Sequence, residues 1–205
     1  MQALRLILAL GLCVPALEPL WAQTIAPQER EFLLDQLQKS RRVFLDSLAG
    51  LSEAQLKFKP GPDRWSVAEC AEHVAVTEDF LFDLVTEKIL KAPVNPQLKS
   101  SGREGDQQLL KMVVDRSKKA TAPEPVRPTG RFADLAAVID HFNASRDRTI
   151  SFARATREDL RAHVSTGGPG GPMDAYQFLL LMAGHAERHT LQIEEVKAHQ
   201  NFPKF

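Results

Sequence analysis

The chain has 205 residues, 43% of them hydrophobic, and its 26 Lys and Arg residues balance 26 Asp and Glu residues. This length is sufficient for one domain with a substantial core, and a charged fraction of 25% is typical of a folded protein. The zero net charge provides no basic field, so nucleic acid is excluded as a partner. Two cysteines exclude a disulfide-dense scaffold.

The N-terminal segment 1–22 is predicted to be a secretory signal peptide. Arg5 precedes an apolar run, which two prolines interrupt before Ala22, and cleavage is expected near Ala22. We therefore expect an exported protein, periplasmic or secreted, with no stable membrane span after cleavage, because the run is too short to cross a bilayer. The alternative is an uncleaved membrane anchor. Residues 23–205 are assigned to a single domain, in which Cys70 is the one remaining cysteine.

Four long helices are predicted in this domain from the spacing of apolar residues. They cover 27–47, 66–91, 132–155 and 173–199. Pro27 suits the first position of a helix. Ser66 and Glu69 form a capping box, in which each side chain accepts a hydrogen bond from the other residue's backbone N–H.

The connection between the second and third helices, 92–131, is long and contains five prolines. An amphipathic piece in its middle, 106–118, is predicted to be a short helix. The sequence therefore predicts an all-α fold, a four-helix bundle with one long crossover connection and no strands. The glycine-rich run 165–172 lacks the Gly-Lys-Ser/Thr ending of a phosphate-binding loop, so it is predicted to be a flexible connector.

Three histidines are predicted to face the interior of the bundle. His185 and His189 are four residues apart in the most hydrophobic helix, so they share one face. His73 lies on an inward stripe of the second helix. That stripe also contains Ser66, Cys70, Thr77, Phe80 and Leu84. Three neutral imidazoles could bind one divalent metal and leave a position for water, as in catalytic zinc sites. The alternative is a buried polar network without a metal.

Three further residues are candidate neighbours of this site, although the pattern assigns no catalytic residue. Cys70, one turn before His73, could be a fourth ligand, a nucleophile or a buried apolar residue. Gln192, one turn beyond His189, could orient a ligand, bind substrate or form a core hydrogen bond. Glu69 is a candidate base, unless the helix cap occupies it.

The histidine spacing excludes two known types of metal site. The helix of zinc proteases requires a glutamate directly after the first histidine, but Ala186 stands there, and Glu187 is predicted to face away. Carboxylate di-iron bundles require two Glu-x-x-His motifs, and the chain contains none.

Two residues other than histidine also have predicted roles. Trp65, just before the second helix, is predicted to be a packing anchor at the end of the bundle. Arg146 in the third helix could meet an anionic substrate, but a salt bridge with a neighbouring carboxylate is the preferred interpretation.

The sequence resembles the DinB/YfiT-like superfamily in three segments. The Trp-Ser-Val sequence at 65–67, followed by His73, is similar to the entry of that family's second helix. The segment 185–193 resembles its last-helix signature, and 50–56 also fits. The resemblance covers most of the domain. It implies an up-down-down-up four-helix bundle, usually dimeric, so we expect a homodimer.

The resemblance also implies a function. It places His73, His185 and His189 at the family's metal-ligand positions, with zinc as the expected ion and nickel, iron or manganese as alternatives. We predict a metal-dependent enzyme that acts on a small molecule, which the sequence does not identify. Metal-bound water suggests hydrolysis, and the resemblance implies thiol transfer as the alternative. Arg188 departs from the family pattern, because many relatives have a histidine there. The expected export is a second departure, since the thiol-transferase relatives are cytoplasmic.

Two alternatives to an enzyme stay open. One is a non-enzymatic metal-binding or stress-associated protein that uses the same three histidines and fills the coordination of its metal. The other is an interaction module that binds no metal.

Overall fold

The computed structural model describes residues 25–204, so the predicted signal peptide lies outside the described residues. The fold is mainly helical, as predicted. The helices are α1 (Pro27–Leu48), α2 (Glu53–Lys57), α3 (Val67–Asp83), α4 (Gly102–Val114), α5 (Leu135–Ala155) and α6 (Ala175–Lys197), and the strands are β1 (Val164–Gly168) and β2 (Gly171–Asp174). Within residues 25–204, no helix combines the length and apolar character that crossing a membrane requires.

The four long helices pack in pairs around two apolar clusters. Helix α1 contacts α5 and α6, and α3 contacts the same two helices. One cluster is built around Leu37 and Tyr176, and the other around Phe44, Phe142 and Ile193. Burying side chains of this size stabilises a fold by about 1.5–3 kcal/mol each, so the matched apolar faces account for the pairing.

Helix α3 begins where the capping box predicts. The Ser66 N–H donates to Glu69 Oε2 at 2.8 Å, and the Glu69 N–H donates to Ser66 Oγ at 3.2 Å. The helix does not continue in α form to Lys91, because Leu84–Ile89 is π-helical. The Leu90 N–H accordingly donates to the Val85 carbonyl, five residues back, at 3.0 Å.

The connection between α3 and α5, which we call the crossover, contains α4 four residues earlier than predicted. Helix α4 packs on α6 and approaches it closely at Gly184, where a Cβ would lie 3.2 Å from Val113 Cγ1. The helix ends at Val114 because the Arg188 guanidinium donates to the carbonyls of Val113 and Asp115, which a longer helix would use internally. A third Arg188 bond, to the Lys118 carbonyl, holds the following segment on α6.

The glycine-rich run 165–172 is not a flexible connector, and the expectation of no strands was wrong. It forms most of an antiparallel hairpin, in which Val164 lies opposite Asp174. Gly168 is required by packing, because a Cβ there would lie 2.6 Å from the backbone carbonyl oxygen of Gly171. Strands of five and four residues that contain several glycines carry no alternating pattern, so periodicity did not predict them.

A fully buried ion pair joins α3 to α5. Arg146 is 0% exposed and donates to both carboxylate oxygens of Glu78, at 2.8 and 2.7 Å. It also donates to Leu37 O and Ser40 Oγ of α1, at 2.6 and 2.8 Å. The salt-bridge interpretation of Arg146 is therefore confirmed, and three helices meet at one guanidinium.

Candidate metal centre

The three predicted histidines meet between α3 and α6. One ring nitrogen from each of His73, His185 and His189 lies within 4.8 Å of the other two. Zn–N bonds are about 2 Å long, so three nitrogens this close can share one ion. No other cluster of three His, Cys, Asp or Glu side chains with this property is found among residues 25–204.

The structure matches the predicted histidine face of α6 and, in part, the predicted inward stripe of α3. His185 and His189 project from one face of α6 with ring centroids 4.5 Å apart, as an i, i+4 pair should. His73 is 3% exposed and His189 7% exposed, whereas His185 is half-buried and lies nearest to solvent. The predicted inward stripe of α3 was wrong for Phe80, which is 41% exposed.

Hydrogen bonds fix the orientation of two of the rings. His73 Nδ1 lies 2.6 Å from the Val126 carbonyl oxygen, and His189 Nδ1 lies 2.9 Å from Gln192 Oε1. Arg116 also donates to Gln192 Oε1, which identifies that atom as the acceptor. Since an oxygen acceptor requires a proton on Nδ1, Nε2 of both rings carries the lone pair that a metal uses.

The position of the third ring, that of His185, tests whether a metal ion fits between the three histidines. His185 Nε2 lies 3.0 Å from His73 Nε2, and two nitrogens on one tetrahedral zinc ion are about 3.3 Å apart. His185 Nδ1 is buried and has no hydrogen-bond partner. An ion held through Nε2 would leave this Nδ1 as an N–H that still lacks an acceptor. The fit to a divalent ion therefore rests on the three convergent ring nitrogens and their spacing.

Burial lowers the pKa of all three imidazoles. For His73, desolvation outweighs the hydrogen bond to Val126. For His185 and His189, desolvation and the neighbouring rings lower the pKa well below the usual 6.5. The rings are therefore neutral at neutral pH, which is the protonation state that ligates a metal.

These shifts predict how the stability of the metal-free protein depends on pH. Because the folded-state pKa values lie below the unfolded value of 6.5, the unfolded chain binds more protons as the pH falls below 6.5. We expect the free energy of unfolding to decrease there, by at most about 1.4 kcal/mol per pH unit for each imidazole. Chemical denaturation in chelator from pH 7.5 to 5 measures this slope.

Removal of one buried ring tests this assignment. His189→Gln should make the slope shallower than in the wild type. An equal slope in the two proteins would contradict the assignment of the pH effect to the buried rings.

Two of the candidate neighbours are engaged elsewhere. Cys70 is fully buried in an apolar cluster and does not belong to the group that could hold a metal. Desolvation raises the pKa of its thiol to about 12, so the structure favours its interpretation as a buried apolar residue over a ligand or nucleophile. Glu69 binds the Ser66 N–H and accepts from Lys59 Nζ at 2.9 Å, so the cap occupies it and it is not a free base.

Gln192 is the neighbour that contacts the site, and the structure adds others. Trp65 packs against the triad itself, with its ring nearly parallel to that of His189 at a centroid distance of 6.0 Å. Val126 and Arg116 come from the crossover, and sequence reasoning missed both. Val126 lies 53 residues from His73, and no short-range pattern connects them. The prolines on either side of the Glu124–Val126 turn were the one available signal of an ordered segment.

A helical fold in which imidazoles from two helices converge defines a class of metal-binding helical proteins. The chain belongs to the DinB superfamily, whose family model matches residues 36–193, including all three histidines and the crossover. YuaE of Bacillus subtilis (strain 168), described as an uncharacterized protein, is 22% identical over 152 residues, which is 74% of this chain and 89% of that protein. No solved structure matches significantly. The superfamily is a metal-binding one, and the three histidines could hold the metal.

Proposed function

We propose that this protein is an exported divalent-metal-dependent enzyme of the DinB-like type, with His73, His185 and His189 as the metal ligands. The observation that carries the proposal is the convergence of three neutral ring nitrogens within 4.8 Å. Zinc is the proposed ion because it favours nitrogen ligands in a tetrahedral arrangement. Nickel, iron and manganese are the alternatives, since imidazole also suits other transition metals. Export rests on the signal pattern of 1–22.

The framework proposed for this site is the family's up-down-down-up four-helix bundle with one long crossover. The pairing of α1 and α3 with α5 and α6 supports it. A homodimer is part of the proposal on the strength of the family resemblance.

When bound, the ion would supply Lewis-acid chemistry with at least one coordination position open to water or substrate. The chain's own residues orient and cover the site. Val126 and Gln192 hold two rings in place, Trp65 packs against them, and the half-buried His185 marks the side nearest to solvent. In this proposal a small-molecule substrate would approach the ion past His185.

Three acidic residues near the triad are already engaged in other hydrogen bonds, so none of them is a free base. Glu69 is held by its cap, Glu72 by backbone amides of the crossover and Glu195 by Arg116. No described carboxylate belongs to the triad cluster. Assistance by a carboxylate base is therefore not part of the proposal, and either hydrolysis or thiol transfer would proceed without it.

A non-enzymatic metal-binding or stress-associated protein is the second candidate. It is favoured by the deep burial of His73 and His189, which are 3% and 7% exposed. Such burial suits a site that retains its ion.

Purification without a histidine tag, followed by elemental analysis and cobalt substitution, tests the proposal. We expect one ion per chain and a visible cobalt spectrum of a four- or five-coordinate site. A spectral shift on adding azide would show an exchangeable position and support the enzyme. An unchanged spectrum would favour the non-enzymatic candidate. If the chain binds no metal, both metal-dependent candidates are excluded, and the interaction module is the hypothesis that remains.

A further inference from the structure

A turn of the crossover is docked on α3 directly beside the first metal ligand. The Glu72 carboxylate, 6% exposed, accepts the backbone N–H groups of Thr129 and Gly130 at 2.8 Å each. It also accepts the N–H of Arg131 at 3.3 Å. Gly130 has φ +76°, which lets successive amides point at one anion. Three backbone donors on one buried carboxylate fix the position of this turn.

The same turn is linked to the acceptor of His73. Arg131 folds back and donates to the carbonyls of Pro125 and Arg127, at 3.0 and 2.9 Å. These two residues flank Val126, which is 3% exposed and accepts the His73 Nδ1–H. Hydrogen bonds, joined by the Arg131 side chain and the backbone on either side of Val126, therefore connect Glu72 to the ring of the neighbouring residue, His73.

We propose that Glu72 is a positioning residue for the metal centre. By holding the 129–131 amides, it places the Val126 carbonyl, which sets the tautomer and direction of the His73 ring. The metal-binding step rests on the proposed function, whereas the control of the His73 tautomer does not.

The arrangement explains why a carboxylate is buried at this point. Glu72 precedes His73 in α3, so the helix that presents the ligand also anchors the segment that orients it. If the turn moved relative to α3, the Val126 oxygen would move relative to His73 as well. Loss of such an orienting partner typically lowers metal affinity 10–100-fold.

Glu72→Gln is the test variant, because it keeps the size of the side chain but replaces one acceptor oxygen with a donor that repels the turn amides. Zinc affinity, measured in competition with a chelator, should fall about 10–100-fold. In the metal-free protein, ¹⁵N NMR should show His73 protonated at Nδ1 in the wild type and as a tautomer mixture in the variant. Hydrogen exchange at the Gly130 amide should become faster.

Asp79→Asn is the matched control. Asp79 is also a carboxylate of α3, but it bonds Ser145 and Arg148 of α5 and not the crossover. The Asp79→Asn variant should lose about as much stability as Glu72→Gln, whereas its zinc affinity and its His73 tautomer should stay as in the wild type.

The proposal is overturned if Glu72→Gln leaves the His73 tautomer unchanged, whatever happens to stability. It is also overturned if Asp79→Asn lowers zinc affinity as much as Glu72→Gln does. If the wild type binds no metal but the tautomer responds to Glu72→Gln, the proposed function fails and the positioning role stands.

Discussion

Replacing His189 with alanine is expected to abolish stable metal binding. Two ligands would be left on different helices, and the remaining rings could no longer enclose the ion. Metal content after dialysis should fall from one ion per chain to near zero. Zinc should then no longer raise the unfolding temperature, because a ligand at 1,000 times its dissociation constant stabilises the folded state by about 4 kcal/mol. Elemental analysis and thermal unfolding with and without zinc measure both effects.

The control for this experiment is His141→Ala. His141 lies in α5 and pairs with Asp79, with Nε2 2.7 Å from Oδ2, away from the triad. This variant should keep one ion per chain and the zinc-dependent rise in unfolding temperature. Unchanged metal content in His189→Ala would show that the triad is not the metal site.

The largest loss of stability is expected from Arg146→Met. The substitution leaves Glu78 buried without a partner and removes the donor from Leu37 O and Ser40 Oγ. Breaking a buried pair on one side costs about 3–5 kcal/mol. For a chain of this size that corresponds to a fall in unfolding temperature of roughly 10 °C. Urea denaturation of the metal-free protein measures the change without a contribution from the ion.

The double variant Glu78→Met/Arg146→Met tests the physical cause. Replacing both charges with apolar side chains removes the uncompensated carboxylate, so most of the lost stability should return. If the double variant is as unstable as Arg146→Met, the loss comes from packing and not from the stranded charge.

Helix positions and the ligand pair on α6 were predictable because both depend on short-range spacing. The capping box at Ser66 and the i, i+4 pair His185 and His189 each involve residues within one turn. The convergence of His73 with this pair was expected from the inward stripe, which the structure follows up to Thr77.

What the sequence did not predict depends on contacts between distant residues. The end of α4 is set by Arg188, more than 70 residues away, so the helix was placed four residues too late. The docking of the crossover depends on Glu72, whose backbone partners Thr129 and Gly130 lie 57 and 58 residues away in the chain. The β1–β2 hairpin was missed because the close approach of Gly168 to the Gly171 carbonyl and the positive φ of Gly171 are features of the folded chain that local propensity does not show.

The burial of Cys70 has a consequence for assembly. It is the free cysteine of the described chain, it is fully enclosed, and its thiol stays protonated. Two copies therefore have no covalent link available through this residue, even in an oxidising compartment. A homodimer would depend on non-covalent contacts alone, and its population would follow mass action, rising with protein concentration and falling on dilution.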